Sequence, residues 1–174
     1  MTRKVQGFTL VELLVVAVVL AIFAAIVVPQ FASTTDEAKV SALRSDLSGI
    51  RSAIDLYRQQ HGHWPGSKLS SGATCPSSGT AGTGAVNTQQ ALDDQLTMFT
   101  NAAGQACSTT DANFRYGPYV RADALPANAV TGSSTVSMVS TGNLALSSTS
   151  TTGGWRYDYV IGKFIADHQD YDDF

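Results

Sequence analysis

Residues Phe8 to Val28, FTLVELLVVAVVLAIFAAIVV, are apolar except for Thr9 and Glu12, and Glu12 is the only charge among them. As a helix this run reaches about 30 Å, the thickness of a bilayer's hydrocarbon core. Arg3 and Lys4 precede it, and positive charge on that side holds that end in the cytoplasm. Pro29 follows, and its ring and missing N–H predict a helix end or bend there. Three kinds of segment fit: a secretory signal peptide cut near PQFAS, an uncleaved single-span anchor, or an anchor that later becomes the core of a helical assembly.

Glu12 separates them. A carboxylate in an apolar medium is costly unless paired, and such residues mark function. No basic side chain lies within helical reach of Glu12 inside the run. A cut between Gly7 and Phe8 would create a positive α-amine at Phe8, which could pair with Glu12 of a neighbouring chain. The same cut would remove Arg3 and Lys4, freeing the new terminus from the charged interface.

The stretch KVQGFTLVELLVVAVVLAIFAAIVVP closely resembles the N-terminal motif of the type IV pilin and type II secretion pseudopilin superfamily. The resemblance implies that a prepilin peptidase cuts after Gly7 and methylates Phe8. It puts the family's conserved acid at Glu12 and its helix-bending proline at Pro29. It further implies a long kinked helix packed on a small antiparallel sheet, an α+β fold, and a homo-oligomeric filament as the product. The assembly machinery and the cytoplasmic membrane are the other implied partners, and the precursor waits in that membrane.

From Asp36 the pattern changes. Val40, Leu43, Leu47, Ile50, Ile54 and Tyr57 recur at spacings of three and four, one stripe of an amphipathic helix. Lys39, Arg44, Asp46, Arg51, Asp55 and Arg58 mostly fill the other positions, and His61-Gly62 predicts the stop. The organisation expected is therefore a leader at 1–7, an apolar half-helix at 8–35, an amphipathic half at 36–63 and an α+β head at 64–174. The stripe needs a sheet to pack against.

Within the head, 67–86 reads as a loop and NTQQALDDQLTMFT, 87–100, as a short helix capped by Asn87 or Thr88. TVSMVSTG, NLALSST and GWRYDYVIGKFIAD read as antiparallel strands, with Trp155, Tyr157 and Tyr159 on one face and Gly162-Lys163 at a turn. GPYV, LPANAV and GWRYDYVIGKFIAD resemble the loop and terminal sheet of major pseudopilins and short pilins, more loosely than the N-terminus does. Cys75 and Cys107, in an exported domain and outside any metal-type spacing, are expected to form a disulfide. That pair departs from typical major pseudopilins and from the C-terminal placement in many major pilins, so pilus subunit and pseudopilin both stand.

The net charge is -3 and no Lys/Arg cluster occurs, which disfavours binding to nucleic-acid phosphates. His61, His63 and His168 have no neighbouring set that completes a metal site, and no nucleophile–base spacing suggests an enzyme. Asp167, Asp170, Asp172 and Asp173 supply oxygens of the type calcium takes, and the family resemblance implies calcium in this region. The competing reading is a solvated acidic tail. The Ser/Thr-rich stretch 131–152 suits a polar outer surface with or without sugars. A rival of another class, an exported binding protein or enzyme with an ordinary signal peptide, explains neither Gly7-Phe8 nor Glu12.

Overall fold

The computed structural model describes residues 7–76 and 78–174, with residues 28–33 described by their backbone alone. Arg3, Lys4 and the rest of the leader before Gly7 lie outside the described residues, as does the Pro29 side chain with its expected bend. The chain divides into two compact units, one ending at Lys39 and the other spanning Val40–Phe174. Helix α1, Leu10–His61, contributes to both.

In the first unit, Leu10–Val27 has a mean hydropathy of 3.1 and none of it is buried. It is long and apolar enough to cross a membrane. Phe8 is 78% exposed, and Leu14, Ile22 and Ile26 each keep over half their surface bare. At about 25 cal/mol per Å² of apolar surface, a helix left this way in water is strongly disfavoured. Lipid or other helices must cover it.

The second unit is built on the stripe read from the sequence. Leu43, Leu47, Ile50, Ala53, Ile54 and Tyr57 are buried in one core with Trp155, Tyr157 and Phe164. Each leucine, isoleucine or phenylalanine among them contributes about 1.5–3 kcal/mol on full burial. The helix ends at His61 because Gly62 takes φ +76, a left-handed value that costs glycine little, and its N–H returns to the Arg58 carbonyl at 2.9 Å. Arg58 closes the cap by donating to the Gly62 carbonyl, and its guanidinium lies 4.9 Å above the Trp64 ring.

Helix α2, Gln89–Thr97, starts at the Thr88 cap, whose hydroxyl accepts from the Ala91 N–H at 3.2 Å. It buries Leu92 and Leu96 against the core. Strands β1 (Phe99–Thr100) and β2 (Ala106–Cys107) follow as an antiparallel pair. Strands β3 (Val136–Val139), β4 (Trp155–Asp158) and β5 (Lys163–Ala166) form a second sheet in that order. The β4–β5 hairpin is antiparallel, as the sequence suggests, but it turns through Tyr159–Gly162, so Tyr159 lies beyond the strand face and Lys163 opens β5.

Two more strand expectations change. β3 runs parallel to β4, and NLALSST forms no strand. The cause is a crossover at 140–154. Thr141 Oγ1 and Gly142 N–H donate to Asp158 Oδ2, at 2.6 and 2.7 Å, beyond the end of β3. The chain then returns to the opposite end, where Gly154 O accepts from the Asp167 N–H at 3.1 Å, before entering β4. Leu146 is buried along this route while Leu144 is 79% exposed.

The 67–86 loop is held from three sides. Cys75 and Cys107 are joined in a disulfide. Ser70, Gly82 and Ala106 exchange backbone hydrogen bonds. Asp94, buried on α2, accepts through Oδ2 from Ser70 Oγ (2.6 Å), Thr83 N–H (2.8 Å) and Gly84 N–H (3.1 Å), and through Oδ1 from Gln90 Nε2 (2.7 Å). A carboxylate is stable there because neutral donors satisfy both oxygens.

Candidate assembly site

Gly7, Phe8 and Thr9 lie before the first helical residue, in non-helical backbone that is exposed to solvent. A side chain added at Gly7 would meet nothing within 4 Å. The fold of the chain therefore places no steric demand for glycine at this position. A preference for glycine here has to come from whatever grips the Gly7–Phe8 bond.

Thr9 and Glu12 form a reciprocal cap. Thr9 N–H and Oγ1–H both donate to Glu12 Oε2, at 2.8 and 2.7 Å, and Glu12 N–H donates to Thr9 Oγ1 at 3.3 Å. Glu12 thus occupies the third position of α1, where a carboxylate satisfies amides that the helix leaves open and meets the positive end of its dipole. Both Thr9 bonds go to the same oxygen. Among the described residues none bonds to Oε1, so one carboxylate oxygen is held and the other is presented. The sequence reading missed Thr9. Its signal was the T-x-x-E spacing at the start of an apolar run.

Gly7 and Phe8 sit just ahead of α1 and Glu12 in its first turn, while Pro29 stands within the α1 backbone. At the other end the fold ties two of the four acids to one residue of the crossover, Ser148. Asp167 Oδ1 accepts from Ser148 Oγ at 2.8 Å and lies 4.0 Å from Arg156 Nη1. Asp172 Oδ2 accepts from the Ser148 N–H at 2.6 Å, Asp170 lies 3.8 Å from His168 Nδ1, and Asp173 is exposed. Two of the acids hold the crossover, and among the described residues no three His, Cys, Asp or Glu side chains gather as metal ligands. This arrangement does not offer the six to eight converging oxygens that calcium takes.

The motif segments of the head serve the core. Trp155 Nε1–H donates to Pro126 O at 2.8 Å, and buried Asn128 donates to Gly154 O at 2.9 Å while accepting from the Val130 N–H. Tyr119 of GPYV reaches the end of α1, where its hydroxyl donates to Gln60 Oε1 at 2.6 Å.

Residues 2–28 match the family described as the prokaryotic N-terminal methylation motif. The type II secretion system core protein G of Pseudomonas aeruginosa is 44% identical over 63 residues, 36% of this chain and 44% of that protein. A fimbrial protein of Neisseria meningitidis serogroup B is 38% identical over 72 residues, 41% of this chain and 42% of that one. A type IV major pilin protein of Neisseria gonorrhoeae, PilE1, is 36% identical over 77 residues, 44% of this chain and 47% of that one. The chain thus spans less than half the length of these relatives. No solved structure matches.

Proposed function

We propose that this chain, a member of the type IV pilin and type II secretion pseudopilin superfamily, is a structural subunit that polymerises through its N-terminal helix into a type IV-like pilus. The observation that carries this reading is the bare apolar window Leu10–Val27, with an acid in its first turn directly after an exposed Gly7–Phe8 bond.

Residues 1–7 serve as the leader. A prepilin peptidase removes it and methylates Phe8, and the precursor is held in the cytoplasmic membrane by residues 8–35. Assembly machinery then withdraws the helix from lipid. The loss of lipid contact is offset as apolar helices of neighbouring subunits cover one another, with the bend at Pro29 fitting each helix into the bundle. Glu12, with Oε2 held by Thr9, offers Oε1 to the Phe8 amine of a neighbour, and a pair formed in that low-dielectric core sets the register between subunits. The head, 64–174, covers the outside.

A second reading, a major pseudopilin of a type II secretion system, is favoured by the 44% identity to core protein G. Mass spectrometry of the mature N-terminus in filaments sheared from whole cells separates the two. Abundant chain beginning at N-methylated Phe8 in the sheared fraction supports a surface pilus. The same terminus confined to the membrane fraction supports the pseudopilin. A terminus near Ser33 refutes both.

A further inference from the structure

The end of α1 is joined to the rest of the head through His61. Its Nε2 lies 3.0 Å from Thr100 Oγ1 in β1 and 3.1 Å from the Tyr119 hydroxyl in the GPYV loop. Its ring stacks on Tyr57 at 4.1 Å between centroids and meets Tyr116 edge-on at 5.0 Å. The Tyr119 proton goes to Gln60, so the Tyr119 oxygen accepts from Nε2–H and the lone pair of the neutral ring sits on Nδ1. Nδ1 is buried and has no hydrogen-bond partner, as is the Tyr57 hydroxyl beneath it. We propose that this makes the junction of α1 with the segments around Thr100 and Tyr119 an acid-labile joint, closed around a neutral imidazole and opened when that imidazole takes a proton.

Protonation would add a second N–H and a charge among aromatic rings, where the Ala102 backbone is the acceptor that favours it. The charged groups bordering the cluster are cations. Arg58 and Lys68 act on the neighbouring His63, and Arg115 lies 5.2 Å over the Tyr116 ring. Tyr57, Tyr116 and Tyr119 are the remaining titratable groups facing His61, and His63 stands 5.8 Å away ring to ring. Among the described residues no carboxylate pairs with either imidazole. Burial, then the nearby His63, push the His61 imidazole down to about 4, and the Ala102 backbone, which favours the charged ring, is outweighed. The inference concerns the head alone and holds for pilus and pseudopilus subunits alike.

The test is amide hydrogen exchange of the full chain in detergent micelles between pH 7 and 4, corrected for intrinsic rates. The probes are the Thr100, Tyr116, Tyr119 and Val120 amides, whose backbone bonds to Tyr116, Thr100 and Leu96 carbonyls close the joint. Their protection is expected to fall by up to about tenfold per pH unit below about 6.5, levelling off near pH 4. His61→Gln keeps a donor for the two hydroxyls and is expected to remove most of that fall, while His63→Gln leaves most of it. Flat protection in the unsubstituted chain, an unchanged fall in His61→Gln, or its loss only in His63→Gln would each overturn the proposal. If His61→Gln does not fold, the His61 Cε1–H titration of the unsubstituted chain decides: a midpoint well below 6.5 supports the joint, and an ordinary midpoint overturns it.

Discussion

Replacing Asp94 by alanine tests whether one buried carboxylate holds the 67–86 loop to the head. Four donors converge on it, yet they do not lose equally when it goes. Ser70 Oγ retains the Gly84 carbonyl at 3.3 Å, and Gly84 N–H retains Ser70 Oγ at 2.8 Å. Thr83 and Gln90 are exposed and can turn to water. The loss is therefore that of two buried bonds to a charged acceptor, about 1.5–3 kcal/mol each, softened by these fallback partners and augmented by a small cavity. The expected destabilisation is about 3–5 kcal/mol, in line with breaking a buried charge network. Asp94→Asn keeps the shape and one acceptor oxygen, so about 1–2 kcal/mol is expected. Chemical denaturation of the full chain in detergent micelles, with the disulfide intact, reads both values. An Asp94→Ala head within 1 kcal/mol of the parent would refute the reasoning, as would equal losses for the two variants.

Glu12→Ala should leave cleavage at Gly7 and membrane insertion intact while lowering the yield of sheared filaments, read by immunoblot of processed chain in each fraction; normal filament yield would sink the pairing scheme. Asp93 is held up at about 6 by burial, ahead of the repulsion from Asp94, against an unfolded value near 3.8. The folded head therefore binds the extra proton between those values, and stability is fully present below about 4 and declines as pH rises through about 6. After allowance for its partial exposure, Asp93→Asn should stabilise the head by about 1 kcal/mol at pH 7 and by nothing at pH 3.5, measured by thermal melts at both. Gly49 lies mid-helix with nothing within 4 Å of an added Cβ, so Gly49→Ala should raise head stability by about 0.5–1 kcal/mol in the same melts. Gly104→Ala, at φ +86 and with its Cβ 2.5 Å from the Tyr57 hydroxyl, should instead lower it by more than about 2 kcal/mol.

Much of this protein was legible in its sequence, and the legible parts share a cause: they rest on contacts or periodicities a few residues long. The apolar run with its one acid, the stripe from Leu43 to Tyr57, the Thr88 cap and the stop at Gly62 are all interactions along one helix. The Trp155–Tyr157 face follows from the two-residue period of a strand. Gly7, Phe8 and Glu12 stood out for the same reason, since a charge inside a membrane-length run is conspicuous without any fold.

Tertiary structure decided what depends on residues distant in sequence. Asp94 reads as one more polar residue on a short helix and is buried only because a loop ten to twenty-four positions upstream folds over it. β3 reads as the first arm of a hairpin, but the crossover pinned at Asp158 and Asp167 makes its pairing parallel. The four C-terminal acids form a cluster in sequence, and in space Asp167 and Asp172 close on Ser148 of the crossover while Asp170 faces His168. His61 gains its neutral, enclosed setting from Thr100 and Tyr119, thirty-nine and fifty-eight residues away. Local pattern determines which elements form and which face is apolar, because those energies are local. The partners of a buried polar group are chosen by how the elements close on one another, and no stretch of this chain records that alone.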